Sequence, residues 1–233
     1  MSETYYKAVR PDGTDWHTGS LRWLPEDGII PEGGWLVEHP APGPVGDGDA
    51  AGYLSVATAP TDCTGMGWPS RLLRVEPVGE VWSPHSLLPH KRAAHAWRVI
   101  EERPAHEALG PPGPEVVALL KRIRSLTPGE VSALDTAWNA TWNDAWTAEC
   151  GTVRGAACGT ARGAAWDAAW NAAWDAACGT ACGTACGTAW DAVLDTVLAV
   201  LFHGLLAPEQ YDTLTGPWRS VMGDPMGQKE VLG

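Results

Sequence analysis

From about residue 5 to residue 102, hydrophobic residues come in short runs broken by glycine and proline, the pattern of a β-rich domain. Strands are expected at residues 5–10, 16–23, 35–38, 53–58, 72–76, 80–82 and 96–101. Between them, residues 39–52 are rich in Pro, Gly and Asp and read as an insertion, and residues 59–66 suit a single helical turn. The core expected for this domain comprises Trp16, Trp23, Trp35, Leu54, Val56, Leu73, Val75, Trp97 and Val99.

Residues 104–114 contain Gly110-Pro111-Pro112-Gly113-Pro114, a run suited to neither a helix interior nor a central strand, and read as a linker. After it Val116, Val117, Leu119, Leu120, Ile123 and Leu126 recur at helical spacing. Thr127-Pro128-Gly129-Glu130 then matches a capping box, with Thr127 as N-cap, proline at the first helical position and Glu130 three residues on. The expected fold class is α+β: a β-rich domain over residues 1–103, the linker, a helical region over residues 115–222 and a free tail over residues 223–233. Within the helical region Pro208 and Thr215 mark two separate short helices near the end.

Residues 138–202 carry a four-residue repeat with consensus Trp-Asp-Ala-Ala and a variant Cys-Gly-Thr-Ala. The high alanine content favours helix over a solenoid of short strands. A step of four advances ~400° on a helix, so the lead stripe drifts ~40° per unit. Trp138, Trp142, Trp146 and Trp166, Trp170, Trp174 therefore fall broadly on one side, with Arg154, Cys158 and Arg162 opposite. These six tryptophans form the candidate interaction surface. A single helix from residue 127 to 206 would extend ~120 Å. Seven glycines, at residues 151–163 and 179–187, each cost about 1 kcal/mol relative to alanine. A fold-back near the first cluster is expected, in preference to a rod or a self-associating assembly.

Composition narrows the function. A net charge of -12 argues against a nucleic-acid partner, and the one basic cluster, His90-Lys91-Arg92, is short. The first residues lack the features of a secretory signal, so a cytoplasmic location is expected. Residues 192–206 form the most apolar run, too short and too interrupted by Asp195 and His203 to span a bilayer, and read as a buried helix without membrane contact. Five of the six cysteines lie in the repeat, and reduced thiols are expected.

Candidate chemistry is sparse. Cys178, Cys182 and Cys186 would align along one helix side, but a metal site usually pairs ligands across a turn. Each stands in a Trp slot one base change away, so they read as small apolar fillers, and neither metal nor cofactor is expected. Gly151, Gly155, Gly159 and Gly163 resemble a small-residue packing motif. His85, His90 and His95 recur every five residues in a segment expected to be a loop or an edge. Arg10, Ser55 with Thr58, and Glu101 or Glu102 resemble the Arg, Ser/Thr strand and Glu order of ADP-ribosyltransferase-like folds, without a Ser-Thr-Ser strand or a Glu-x-Glu loop. There Arg would hold pyrophosphate and Glu would stabilise the reacting ribose.

Tyr6-Lys7-Ala8-Val9-Arg10-Pro11-Asp12-Gly13-Thr14-Asp15, Thr18-Gly19, Tyr53-Leu54-Ser55-Val56 and residues 73–79 resemble an uncharacterised domain of actinobacteria and their phages. The second half looks like the Ala-, Trp- and Asp-rich tracts that follow such domains. That resemblance implies an architecture, with a phage source among those it admits, and no activity. The leading expectation is a non-catalytic interaction or scaffolding protein whose partner is a protein, either a second copy or a host protein. The alternative is an ADP-ribosyltransferase-like enzyme in the first domain, and the sequence leaves open whether the chain is an enzyme.

Overall fold

The computed structural model describes residues 4–43, 52–63, 65–84, 88–145 and 188–227, and the chain divides into two compact units, residues 1–110 and 111–233. Among the described residues there are six strands and four α-helices, an α+β protein.

The first unit is built on one antiparallel sheet of β1 (Tyr5–Val9), β2 (Trp35–Glu38), β3 (Leu54–Ala57), β4 (Arg71–Val78), β5 (Lys91–Ala94) and β6 (Ala96–Arg103), in the order β2-β6-β4-β1-β3-β5. Alternation along β1 and β4 sends Tyr5, Val9, Leu73 and Val75 into a core shared with Trp23, Leu54, Val56, Trp97 and Val99. Trp97 donates its indole N–H to the Leu54 carbonyl at 3.0 Å, tying β6 to β3 across the core. Trp35 packs on this core while partly buried, and Trp16 is only half-buried.

Two expected strands are absent. Residues 16–23 form turns stitched by side-chain oxygens, with only an isolated bridge from Thr14 to Arg22, and Trp82 makes a single bridge to Ala93. Asp12 accepts from the Thr14 amide and hydroxyl, and Asp15 does the same for Thr18, so local hydrogen bonds take the backbone out of the sheet. Conversely, Lys91–Ala94 forms the edge strand β5 through its pairing with β3.

The segment expected as a linker is structured in part. Ala105–Leu109 makes a 3-10 turn that packs against β4 and against the 3-10 turn at Pro60–Asp62, and it buries Ala108 and Leu109. The glycine-proline run instead opens α1 (Gly113–Arg124), whose buried face is Val116, Leu119, Leu120 and Ile123. Proline is tolerated there because the first helical turn leaves its N–H groups unbonded anyway.

In the second unit α2 (Pro128–Ala145) starts at the expected capping box. Glu130 accepts from the Thr127 amide at 2.8 Å, and the Glu130 amide donates to Thr127 Oγ1 at 3.3 Å. Val131, Leu134 and Trp138, at i, i+3 and i+7, form its buried face. Helix α3 (Thr188–Leu201) is buried from Ala192 onward, and α2, α3 and α4 (Pro208–Met222) pack on one another. Helices α2 and α3 lie against one another, and the expected fold-back falls in residues 146–187, outside the described residues.

The two expected terminal helices are one, with Pro217 inside α4. Buried Trp218 and Leu214 anchor the helix on either side of it. Ala207 has no side-chain oxygen to cap α4, so only the return half of a capping box exists, the Ala207 amide donating to Gln210 Oε1 at 3.0 Å. The tail is not free at its start, since Pro225 is buried. Among the described residues no helix is long and apolar enough to cross a membrane.

Candidate functional site

A cleft of about 770 Å³ opens in the first unit. It is lined from β1 by Tyr6, Lys7 and Ala8, from the turns after β1 by residues 15–18 and 20–23, and from β3 by residues 54–57. Cys63 and Lys91 also line it. The turn segment that displaced an expected strand is therefore a wall of the cleft. Two glycines allow that wall to close. Gly13, at φ +83°, lies where a Cβ would come within 2.9 Å of Leu24, and Gly19, at φ +69°, where a Cβ would come within 2.9 Å of the Arg10 guanidinium.

Lys7 sits on the core side of β1, between the inward residues Tyr5 and Val9. Its ammonium stands 5.0 Å from the centre of the Trp23 ring and donates to the Ser55 carbonyl at 3.2 Å. Among the described residues that is its one hydrogen bond, and no carboxylate reaches it at ion-pair distance. Two of its three donors are left to the cleft. Loss of solvent around the ammonium lowers its pKa to about 8; Asp15 works against that fall, and the charge of Lys91 adds to it.

Lys91 is buried, with its ammonium on the Asp62 carbonyl at 2.8 Å, and desolvation pushes its pKa down against the opposing pull of Cys63 and Asp62. Burial also raises the Cys63 thiol to about 11, so this free cysteine stays protonated at neutral pH and is a poor nucleophile. Asp15 is buried; desolvation works to raise its pKa, but the hydrogen bonds from Thr18 and the charge of Lys7 outweigh it and hold the carboxyl below its ordinary value. Asp15 therefore remains ionised, with both oxygens occupied by Thr18.

The cleft carries three full cations, Lys7, Arg22 and Lys91, against the single carboxylate of Asp15, with His17 and His39 beside them. In a chain of net charge -12 this is a local reversal of sign. Trp16, Trp23, Tyr6 and Tyr53 add ring faces and edges. Such a cavity is suited to a ring-bearing anion.

The residues expected to act as a transferase site are not brought together. Ser55 lines the cleft, and its carbonyl serves Lys7. Arg10 lies 5.4 Å from the Trp16 ring, behind the wall. Glu101 is on β6, three strands from β3 in the sheet, or about 14 Å at normal strand spacing. Its carboxylate is held by Arg74 at 2.9 Å and Arg103 at 3.6 Å, and Glu102 is paired with Arg71.

Trp138 has 2% of its surface exposed and belongs to the interior of the helical unit, not to an open interaction surface. Trp142 lies in the backbone of α2, with its side chain outside the described residues. Trp146, Trp166, Trp170, Trp174, Cys178, Cys182, Cys186, the glycine series at residues 151–163 and His85 also lie outside them. Among the described residues no cluster of three His, Cys, Asp or Glu could hold a metal ion. Sequence reasoning missed Lys7, although the signal was there: in Tyr5-Tyr6-Lys7-Ala8-Val9 the lysine takes an inward position of the strand. No protein-family model, curated protein or solved structure matches the chain, so the cleft is interpreted from its geometry and charge.

Proposed function

We propose that this chain is a non-catalytic binding protein whose first unit takes a small ring-bearing anion in the Lys7 cleft, and whose helical unit serves as a scaffold for protein contacts. One observation carries the first half: cations converge on a cavity of ligand size, and the Lys7 ammonium has a single hydrogen bond there. An anion would meet the unused donors of Lys7, and desolvation would strengthen that contact. Rings would pack against Trp16 and Trp23, as Tyr53 packs edge-on against Trp82 at 6.0 Å.

The test is quenching of tryptophan fluorescence by paired ligands, nucleoside monophosphates against their nucleosides and aromatic carboxylates against their amides. Anions should bind at least tenfold more tightly than their neutral partners, and Lys91→Met should reduce that preference. Equal binding of each pair, or none at all, defeats the reading. The helical half is tested by capture from lysate with each unit separately deleted from the full chain, and retention only with the helical unit present supports it.

A further inference from the structure

Lys7 differs from an ordinary anion-binding lysine in its surroundings. It rises from the core face of a central strand, is held near Trp23 and Ser55, and faces a cavity. A lysine needed only for charge is served as well by a mobile, hydrated side chain at a rim. A fixed, poorly hydrated amine beside an anion site is suited to nucleophilic addition to a carbonyl, for which the neutral form is the reactive one.

Resting on the reading of the cleft as an anion site, we propose that Lys7 captures a ring-bearing anion that carries an aldehyde or ketone, forming a reversible imine at Nζ. The amine lone pair adds to the carbonyl carbon, and the carbonyl π pair moves to oxygen, which takes up a proton as nitrogen loses one. The resulting carbinolamine loses its hydroxyl as water while nitrogen forms the C=N bond. The balance is amine plus carbonyl giving imine plus water, with no oxidant or reductant. Asp15, ionised and acting electrostatically on Lys7, favours the protonated imine. Its oxygens are engaged by Thr18, so proton transfer falls to cleft water.

Several groups set the pH at which Lys7 becomes reactive. Asp15 from the turn after β1 and Cys63 after the 3-10 turn raise its pKa, Lys91 from β5 lowers it, and Arg22, His17, His39, Tyr6 and Tyr53 share the cleft. Desolvation dominates, so a large neutral fraction of Lys7 exists near pH 8.

The chain has four lysines, Lys7, Lys91, Lys121 and Lys229, which makes the test direct. Pyridoxal 5′-phosphate, used as a probe, combines a planar ring, an anion and an aldehyde. The full chain is incubated with it at pH 7.5, trapped with borohydride, digested and analysed by mass spectrometry. Lys7 should be labelled at least tenfold faster than exposed Lys121, with a rate rising through about pH 8. Lys7→Arg, which preserves a cation under Trp23, should fold normally and lose the trapped adduct. Labelling of Lys121 as fast as Lys7, or of Lys7 only after denaturation, overturns the proposal. Pyridoxine 5′-phosphate, which lacks the aldehyde, separates the two readings. If it binds in the cleft and Lys7 gives no trapped adduct, only imine formation fails; if it does not bind either, the anion site fails as well.

Discussion

The two units bury polar groups in different ways. In the helical unit α3 buries nearly every position, and its Thr196 returns its hydroxyl to the Ala192 carbonyl at 2.7 Å within the same helix. In the sheet unit, Lys7 takes an inward position on β1, and its ammonium is left with one carbonyl and a cavity. The described ends of the repeat, at Trp138 and from Ala192 to Phe202, are given over to packing. An aperiodic stretch such as residues 5–23 can place one cation, one carboxylate and one ring where they converge, and that serves binding.

The sharpest way to probe the contrast is to remove a tryptophan from each core. Trp97→Ala should destabilise the sheet unit by about 3–5 kcal/mol, since it empties the centre of the core and removes the hydrogen bond to Leu54. Trp138→Ala should destabilise the helical unit by about 3 kcal/mol, read as a loss of helical signal at lower denaturant. If Trp138→Ala instead leaves stability untouched and abolishes partner capture, then Trp138 serves a surface and the contrast drawn between the units fails.

Lys7 gives the next effect. Its folded pKa, about 8, lies below its ordinary value of 10.5, so the unfolded chain binds more protons between these values and stability rises with pH across that window. Below pH 8 the burial of the charge is a constant destabilisation. Lys7→Met removes this dependence. The stability of the variant relative to the native chain should therefore be highest below pH 8 and decline by about 3 kcal/mol by pH 10.5. Denaturant melts of the sheet unit at pH 7, 9 and 10.5 read it, and a flat difference would mean that the ammonium is well hydrated. A smaller effect is expected at the helix entry, where Thr127→Ala should cost about 1 kcal/mol by removing the acceptor for the Glu130 amide.

Much of the fold was legible in local pattern. Trp35–Glu38 and the Thr127 cap lie where the sequence places them, because a β-rich run and a capping box are local signals. Lys91–Ala94 was hidden: Lys-Arg-Ala-Ala carries no strand preference, and partners distant in sequence, from Ala57 paired with Lys91 to Leu54 paired with Ala94, impose its conformation. Residues 16–23 misled in the other direction, since spaced tryptophans and a leucine suggested a strand, while Asp12, Asp15 and Thr18 built turns. Asp12-Gly13 and Thr18-Gly19 were the available turn signals. The cleft itself depended on several separate segments converging, which no single stretch of sequence displays.

The smallest expected effect bears on the transferase reading. Glu101 on β6 is half-exposed and shared between Arg74 and Arg103, and β4 separates β6 from β1 and its cleft. Glu101→Gln should cost about 0–1 kcal/mol, since an exposed pair gains little over solvent, and should leave anion affinity in the cleft unchanged within twofold. A carboxylate that stabilises a reacting ribose behaves differently, because its loss removes turnover while leaving binding nearly intact. Labelled NAD therefore decides the matter: turnover by the native chain that is lost in both Glu101→Gln and Arg10→Ala would make these residues one site. The sheet order places Glu101 two strands from β1, the cleft's near wall, and three from Ser55 on β3, about 10 and 14 Å at normal strand spacing, so a positive result would require β6 to leave β4 and break the longest ladder in the unit.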